Sequence, residues 1–228
     1  MKISSLICGY LPTSDHISMF RTAFLSLVMQ SRKPDQIVIV LDEPGDGIEN
    51  KVRKFVDDYG IGFHANTDLY IPVELHVRPR KEGLAAAKNF GLRFCTGDYV
   101  TYCDADDSWM QCKLEVQEKY AQEHPDVDVI GTLAWDRESD GVMRPNCFAP
   151  GQYQQHAQIV RRLQAENVMC HGSVMVKKEK LDQLEGPYQH VLGAEDYDLW
   201  RRMIGIGCVF NNIPERLYVY SLGTGVER

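Results

Sequence analysis

Three aspartates, Asp104, Asp106 and Asp107, fall within four residues, directly after the run Asp98-Tyr99-Val100-Thr101-Tyr102-Cys103. Carboxylates this close repel one another, and a chain that needed only solubility would spread them out. At the end of a strand they form a cluster of hard oxygens suited to Mg²⁺ or Mn²⁺ carrying a phosphate-bearing ligand. The same string also fits an acidic turn before a helix, because Ser108-Trp109-Met110-Gln111 has the form of a capping box. A second acidic string, Glu195-Asp196-Tyr197-Asp198, opens a helical stripe of Leu199, Trp200 and Met203 that Gly205 and Gly207 end. Acids in a first turn complement the helix dipole. A carboxylate placed there also has its pKa lowered, which keeps it ionised and able to accept a proton near neutral pH.

Both strings need elements to hold them. Lys2 to Gly9 is an apolar strand, and Ile17, Phe20, Phe24, Leu27 and Val28 recur on one helical face behind a cap at Ser14 or Asp15. Gln36 to Leu41 is rich in Val and Ile, as in a strand buried on both faces, and Asp42-Glu43-Pro44-Gly45 turns the chain after it. A charged helix near Glu49 to Tyr59, a strand near Val73 to Val77, a helical stripe through Leu84, Ala87, Gly91 and Phe94, and the strand ending at Asp104 complete a βαβαβ order. That order predicts a parallel sheet flanked by helices, with ligands beyond the carboxyl ends of the strands. Asp42-Glu43 and Asp104 to Asp107 then share one rim.

The second half is less regular. A helix from about Met110 to Glu123, a strand near Val127 to Thr132 and a hairpin turn at Asp140-Gly141 are expected. A loop around Pro145 to Pro150 follows, then a helix from Gln154 to Gln164, a short strand Gly172 to Val176 and a helix Lys177 to Leu184. With no repeat, low-complexity tract or linker, residues 1–228 are expected to form one domain. It divides into two unequal halves, about 1–107 and about 108–228.

The bulk properties exclude several classes. The 228 residues are 44% hydrophobic and 25% charged, a soluble globular composition. No stretch approaches the roughly 18 apolar residues of a membrane span, and the N-terminus turns polar too soon for a signal peptide. The net charge of −7 argues against nucleic acid as a partner. Seven cysteines without paired spacing fit reduced thiols in a cytosolic protein.

Taken together, the strings resemble the family 2 glycosyltransferases, the inverting group with the GT-A fold. The resemblance runs through the first strand, Gln30-Ser31-Arg32-Lys33-Pro34-Asp35 and its following strand, Gly83-Leu84-Ala85-Ala86-Ala87-Lys88-Asn89, Gly97 to Asp107, Glu195 to Trp200, and Ile213-Pro214-Glu215-Arg216-Leu217-Tyr218. It implies an α/β fold with a mostly parallel central sheet, a nucleotide-diphospho-sugar donor bound by the half at about 1–107 and a glycan or glycolipid acceptor bound by the half at about 108–228. The implied nucleotide contacts are Cys8, Gly9, Tyr10, Asp42 or Glu43, Lys88, Asn89, Asp104 on the ribose, Ala105 and Asp106. The implied metal positions are Asp106 and Asp107, with Asp107 expected to ligate directly, and His171. The implied cofactor is Mn²⁺ or Mg²⁺. Asp196 would be the general base and Glu195 would orient the acceptor.

Departures from the family pattern are Glu43-Pro44, where two aspartates and Gly-Ser are usual, Cys8-Gly9-Tyr10-Leu11 at the first strand, and Lys88 in place of Arg. Lys keeps the charge and loses the planar fork. UDP is the expected nucleotide, ahead of GDP and dTDP. Synthesis of surface polysaccharide in the cytoplasm, with peripheral contact at the inner membrane face, follows by analogy. No motif encodes the donor sugar, the acceptor or the oligomeric state. Rival readings are a non-catalytic sugar-nucleotide-binding relative, a pyrophosphorylase, whose Gly-rich basic loop is missing, and a haloacid-dehalogenase-type phosphatase. That last class places Asp-x-Asp after a strand, but Ser108 stands where its Thr would.

Overall fold

The computed structural model describes residues 1–64, 71–146, 153–191 and 193–223. The chain begins with β1 (Ile3–Gly9), α1 (Asp15–Val28), β2 (Gln36–Asp42), α2 (Ile48–His64), β3 (Val73–Arg78), α3 (Leu84–Leu92) and β4 (Tyr99–Asp104). It continues with β5 (Ser108–Trp109), α4 (Lys113–Glu123), β6 (Val129–Arg137), β7 (Met143–Pro145), α5 (His156–Arg162), a 3₁₀ turn at His171–Ser173 and β8 (Met175–Lys177). Then come α6 (Lys178–Leu181), α7 (Glu195–Gly205) and β9 (Phe210–Ser221). Among the described residues no helix is long and apolar enough to cross a membrane.

One sheet runs in the order β3-β2-β1-β4-β8-β6-β9-β5, with β7 beside β6. The first four strands are parallel, as the βαβαβ pattern predicts. Beyond β4 the sheet is mixed: β8 runs antiparallel to β4 and β6, while β9 runs parallel to β6. Each face carries its own core. Ile3 and Ile7 of β1 meet Ile37, Ile39 and Leu41 of β2 beneath Phe20, Phe24 and Leu27 of α1. Leu6, Val38, Val40 and Val100 point the other way, onto Ala85, Ala87 and Leu92 of α3 and Leu199, Trp200 and Met203 of α7. Alternation along β1 and β2 therefore feeds both layers, and each large apolar side chain so buried contributes about 1.5–3 kcal/mol.

Several expected elements differ. Ser14 does not cap α1 through its side chain; its hydroxyl accepts from Lys51 Nζ at 2.7 Å instead. The capping box at Ser108 to Gln111 is not formed. Ser108 and Trp109 pair with Val219 and Tyr218 as an edge strand, and Trp109 N–H donates to Ser26 Oγ at 3.1 Å, so the helix waits until Lys113. The strand expected at Gly172 begins three residues later, after the 3₁₀ turn, and the helix after Lys177 is one turn long. The expected hairpin at Asp140-Gly141 is present, with Gly141 at φ 86° joining β6 to β7. Residues 147–150 of the expected loop, Cys147 among them, lie outside the described residues. The six described cysteines are all free thiols.

Two glycines mark close approaches near the rim. A Cβ on Gly9 would stand 2.4 Å from Ala105 Cβ, and one on Gly172 would stand 2.1 Å from the Tyr218 ring. Gly172→Ala is expected to force Tyr218 aside and cost about 1–3 kcal/mol. Thermal unfolding should report this as a Tm lower by several degrees; an unchanged Tm would show that the ring yields freely.

Candidate active site

The carboxyl ends of β1, β2 and β4, the loop before α3, the 3₁₀ turn and the start of α7 enclose a cavity of about 1200 Å³. Cys8, Gly9, Tyr10, Asp42, Lys88, Asp104, Ala105 and Asp106 all line it, as do His171, Glu195 and Asp196. The sheet topology explains this convergence: β1 lies between β2 and β4, so the turns after all three strands open on one rim.

Asp42 closes β2 as a buried carboxylate. Its Oδ1 accepts from Arg78 at 2.8 Å and its Oδ2 from the Gly83 N–H at 3.1 Å. Gly83 turns that N–H toward the carboxylate at φ 88°, a conformation that favours glycine. Burial pushes the Asp42 pKa up, and the Arg78 guanidinium opposes the rise. Glu43, the alternative to Asp42, is exposed, sits at φ 50° and does not line the cavity. Its N–H donates to Arg78 O. Asn89 is also absent from the wall. Its amide is spent on the Tyr188 backbone, donating to the carbonyl at 2.6 Å and accepting from the N–H at 2.9 Å.

The three aspartates divide. Asp104 and Asp106 face the cavity. Asp107 is fully buried: its Oδ2 accepts from the Tyr218 hydroxyl at 2.6 Å and its Oδ1 from the Ser221 N–H at 2.7 Å. Direct metal ligation by Asp107 does not fit this geometry, because its carboxylate is directed at β9 rather than into the cavity. His171 does not fit as a ligand either. Its Nδ1 lies 3.3 Å from Lys88 Nζ and its Nε2 2.7 Å from the Tyr188 hydroxyl. A lysine ammonium only donates, so Nδ1 accepts and Nε2 carries the proton. Burial and the Lys88 charge push the His171 pKa well down, so the ring is neutral.

Lys88 is itself buried, 3.1 Å from Glu195 Oε1. Asp196 lies beside this pair. Its Oδ2 accepts from Asn167 Nδ2 at 2.8 Å and its Oδ1 from the Tyr197 N–H at 2.8 Å. The helix terminus leads one to expect a lowered pKa, but the Asp196 pKa is raised. Burial outweighs the help of Lys88, Asn167 and the Tyr197 N–H, and Glu195 adds repulsion. Asn167 escaped the sequence reading because nothing in Glu166-Asn167-Val168 marks it. Its side-chain Oδ1 accepts from the Met169 N–H at 3.1 Å, which fixes the amide whose Nδ2 is aimed at Asp196.

Among the described residues no group of three or more His, Cys, Asp or Glu side chains forms a ready-made metal cage. Mg²⁺ and Mn²⁺ sites on phosphates need less: one or two carboxylates, the phosphate oxygens and water. The oxygen donors Asp104 and Asp106 fit such a cation.

The chain matches the model of glycosyl transferase family 2 over residues 11–184, and it belongs to that family. The amylovoran biosynthesis glycosyltransferase AmsE of Erwinia amylovora is 28% identical over 200 residues, 87% of this chain and 69% of the relative. The UDP-Gal:alpha-D-GlcNAc-diphosphoundecaprenol beta-1,3-galactosyltransferase of Escherichia coli is 24% identical over 226 residues, 95% of this chain and 72% of the relative. S. aureus TarS 1-349 in complex with UDP-GlcNAc matches with a TM-score of 0.72 at 17% identity, over 99% of this chain and 60% of that one. The mannosyltransferase PcManGT from Pyrobaculum calidifontis, in complex with GDP-Man and Mn²⁺, matches with a TM-score of 0.67 at 18% identity, over 97% and 57%. The fold is accordingly the GT-A fold, and this chain spans only about 60% of these two solved chains.

The division of the aspartates has a measurable consequence. Asp107→Asn leaves one β9 donor without its acceptor and should cost about 1.5–3 kcal/mol, a Tm lower by about 3–12 °C. Asp106→Asn, whose carboxylate faces the cavity, should lower Tm by less. Equal effects of the two substitutions would refute the division.

Proposed function

We propose that this chain is an inverting glycosyltransferase that moves a sugar from a nucleotide-diphosphate donor, a UDP-sugar foremost, to an acceptor hydroxyl on a glycan or glycolipid. The observation that carries the reading is the placement of Asp196, a buried and oriented carboxylate, in the wall of the same cavity as Asp42, Asp104 and Asp106. Membership of family 2 and likeness to proteins solved with UDP-GlcNAc and GDP-Man support it.

Asp42 would accept from the nucleotide base, since Arg78 and Gly83 each bond one of its oxygens without filling all its lone pairs. Asp104 faces the ribose and Asp106 the diphosphate. Mn²⁺ or Mg²⁺ bound there supplies Lewis-acid stabilisation of the leaving phosphate. Asp196 takes the proton of the acceptor hydroxyl as that oxygen attacks the anomeric carbon, a role worth about 10²–10⁴ in rate. A single displacement with one base inverts the anomeric centre. Glu195 is held by Lys88, which leaves Asp196 as the carboxylate that receives the proton.

The raised pKa of Asp196 sets the pH dependence. The base acts only when ionised, so activity should appear as pH rises through a value above that of an ordinary aspartate. Asn167→Ala removes a donor that stabilises the carboxylate, so the acid limb of the kcat/KM profile should move to still higher pH. An unmoved limb would dissociate Asn167 from the base.

The direct test combines turnover with donor binding. Asp196→Asn should lose at least about a hundredfold in kcat while keeping the Tm increase given by UDP with Mn²⁺. In the unaltered protein that increase should vanish with EDTA and in Asp106→Asn. A Tm that no sugar nucleotide changes would count against the reading, and unimpaired turnover by Asp196→Asn would remove Asp196 as the base.

A further inference from the structure

The cavity is larger than one small ligand requires. Its roughly 1200 Å³ exceeds the ~300–1,000 Å³ typical of small-molecule sites. The nucleotide reading uses the end near β1, β2 and β4, and leaves a second stretch of wall without a role. That stretch comes from the far ends of β6 and β9, where Asp136 and Tyr220 stand side by side in the parallel register. Asn146, just past β7, is buried and donates its amide to Asp136 Oδ1. Asp136, Asn146 and Tyr220 all line the cavity. The buried tie of Asp107 to Tyr218 and Ser221, on either side of Tyr220, fixes this wall against the turn that carries Asp104 and Asp106.

The chemistry of the three side chains is selective. A pyranose offers a face of C–H groups and a rim of hydroxyls that both donate and accept. An aromatic ring meets the C–H face, and its phenol can bond at the edge. An aspartate only accepts, whereas an asparagine also donates, so the pair can answer neighbouring hydroxyls in both senses. Asp136 and Asp196 are carboxylates lining the cavity, and three cations are already engaged: Arg144 of β7, opposite Asp136, is paired with Glu138, Arg137 donates to Ser221 Oγ, and Lys88 is paired with Glu195. An acidic substituent brought here would face like charge in a partly desolvated site.

We propose that Asp136, Asn146 and Tyr220 form the subsite for an uncharged, hydroxyl-rich pyranose of the acceptor, and that the subsite rejects acidic sugars. This rests on the glycosyltransferase reading, and it specifies the class of acceptor at that same cavity.

The test uses the whole chain with UDP and Mn²⁺ present. Saturation-transfer NMR would be recorded with millimolar methyl glycosides of glucose, galactose, mannose and N-acetylglucosamine, and with methyl glucuronide. At least one neutral glycoside should bind, and methyl glucuronide should bind at least about tenfold more weakly, since facing like charges cost free energy. Asn146→Ala and Tyr220→Ala should lose the neutral glycoside and keep the UDP-induced Tm increase, which certifies that they are folded. Should either fail to fold, the near-isosteric Asp136→Asn replaces it; this variant should admit methyl glucuronide. Equal binding of acidic and neutral glycosides, no neutral binding at all, or neutral binding that survives the substitutions would each overturn the subsite while the UDP response left the donor reading standing. Loss of the UDP response in the unaltered protein would instead indict the glycosyltransferase reading itself.

Discussion

The buried carboxylate of Asp107 joins the two halves of the sheet where the cavity opens. It leaves β4 through the acidic turn and receives two donors from β9, the Tyr218 hydroxyl and the Ser221 N–H. Burial beside Asp107 pushes the Tyr218 phenol well up, so the phenol keeps its proton and remains a donor. The Tyr218 ring in turn lies close against Gly172, where a Cβ would clash with it. The neighbouring His171 then reaches Lys88, and Lys88 reaches Glu195. A continuous run of close contacts therefore leads from the acidic turn beneath the cavity to the first residue of α7. Charge-assisted bonds of this kind are short and directional, which is what a site assembled from distant chain segments requires.

The electrostatics of the floor follow from that run. Lys88 is a desolvated cation whose nearest anion is Glu195, and its field reaches Asp196 and His171 as well. It opposes protonation of both. For Asp196 it only moderates the rise that burial imposes, while for His171 burial and Lys88 act together. A neutral His171 must gain a proton on unfolding in mild acid. Its contribution to stability is thus present above the ordinary histidine pKa and falls as pH drops below it. The floor is built for a pH at which His171 is neutral.

Much of this was legible in the chain itself. β1, β2 and β4 announced themselves as largely apolar stretches, β2 as a run of Val, Ile and Leu, and α1 and α3 by apolar stripes kept in helical period. The rim position of Asp42, Asp104 and Asp106 followed from topology alone. The failures share one physical origin, which is that burial and pairing are tertiary properties. Asp107 and Asp106 are chemically identical in the sequence, and only the arrival of β9 from a hundred residues away separates a buried strut from a cavity-facing oxygen. Ser108 to Gln111 satisfied a local capping rule that the two-residue pairing with β9 overrode. The pKa of Asp196 came out opposite in sign because its helix terminus is visible in the sequence and its desolvation is not. Asn89 reads as a polar ligand to the donor, yet it serves as a bracket on the Tyr188 backbone.

That distinction also accounts for which parts of the cavity carry recognisable strings. The end of the cavity proposed to hold the donor is built from strand termini that succeed one another along the first half of the chain, so its residues cluster into short motifs. The other end gathers Asp136, Asn146, Asn167 and Tyr220 from separate strands and loops, each alone in its sequence neighbourhood. Only the register of β6 against β9, with its irregularity between Thr132 and Ala134, brings Asp136 beside Tyr220. Such a register shift changes which side chains share a face. An insertion or deletion near that irregularity would replace the residues on this wall while leaving β1 to β4 untouched. The geometry therefore separates a cavity end fixed by the order of β1 to β4 from an opposite end that local changes in β6, β7 and β9 can retune.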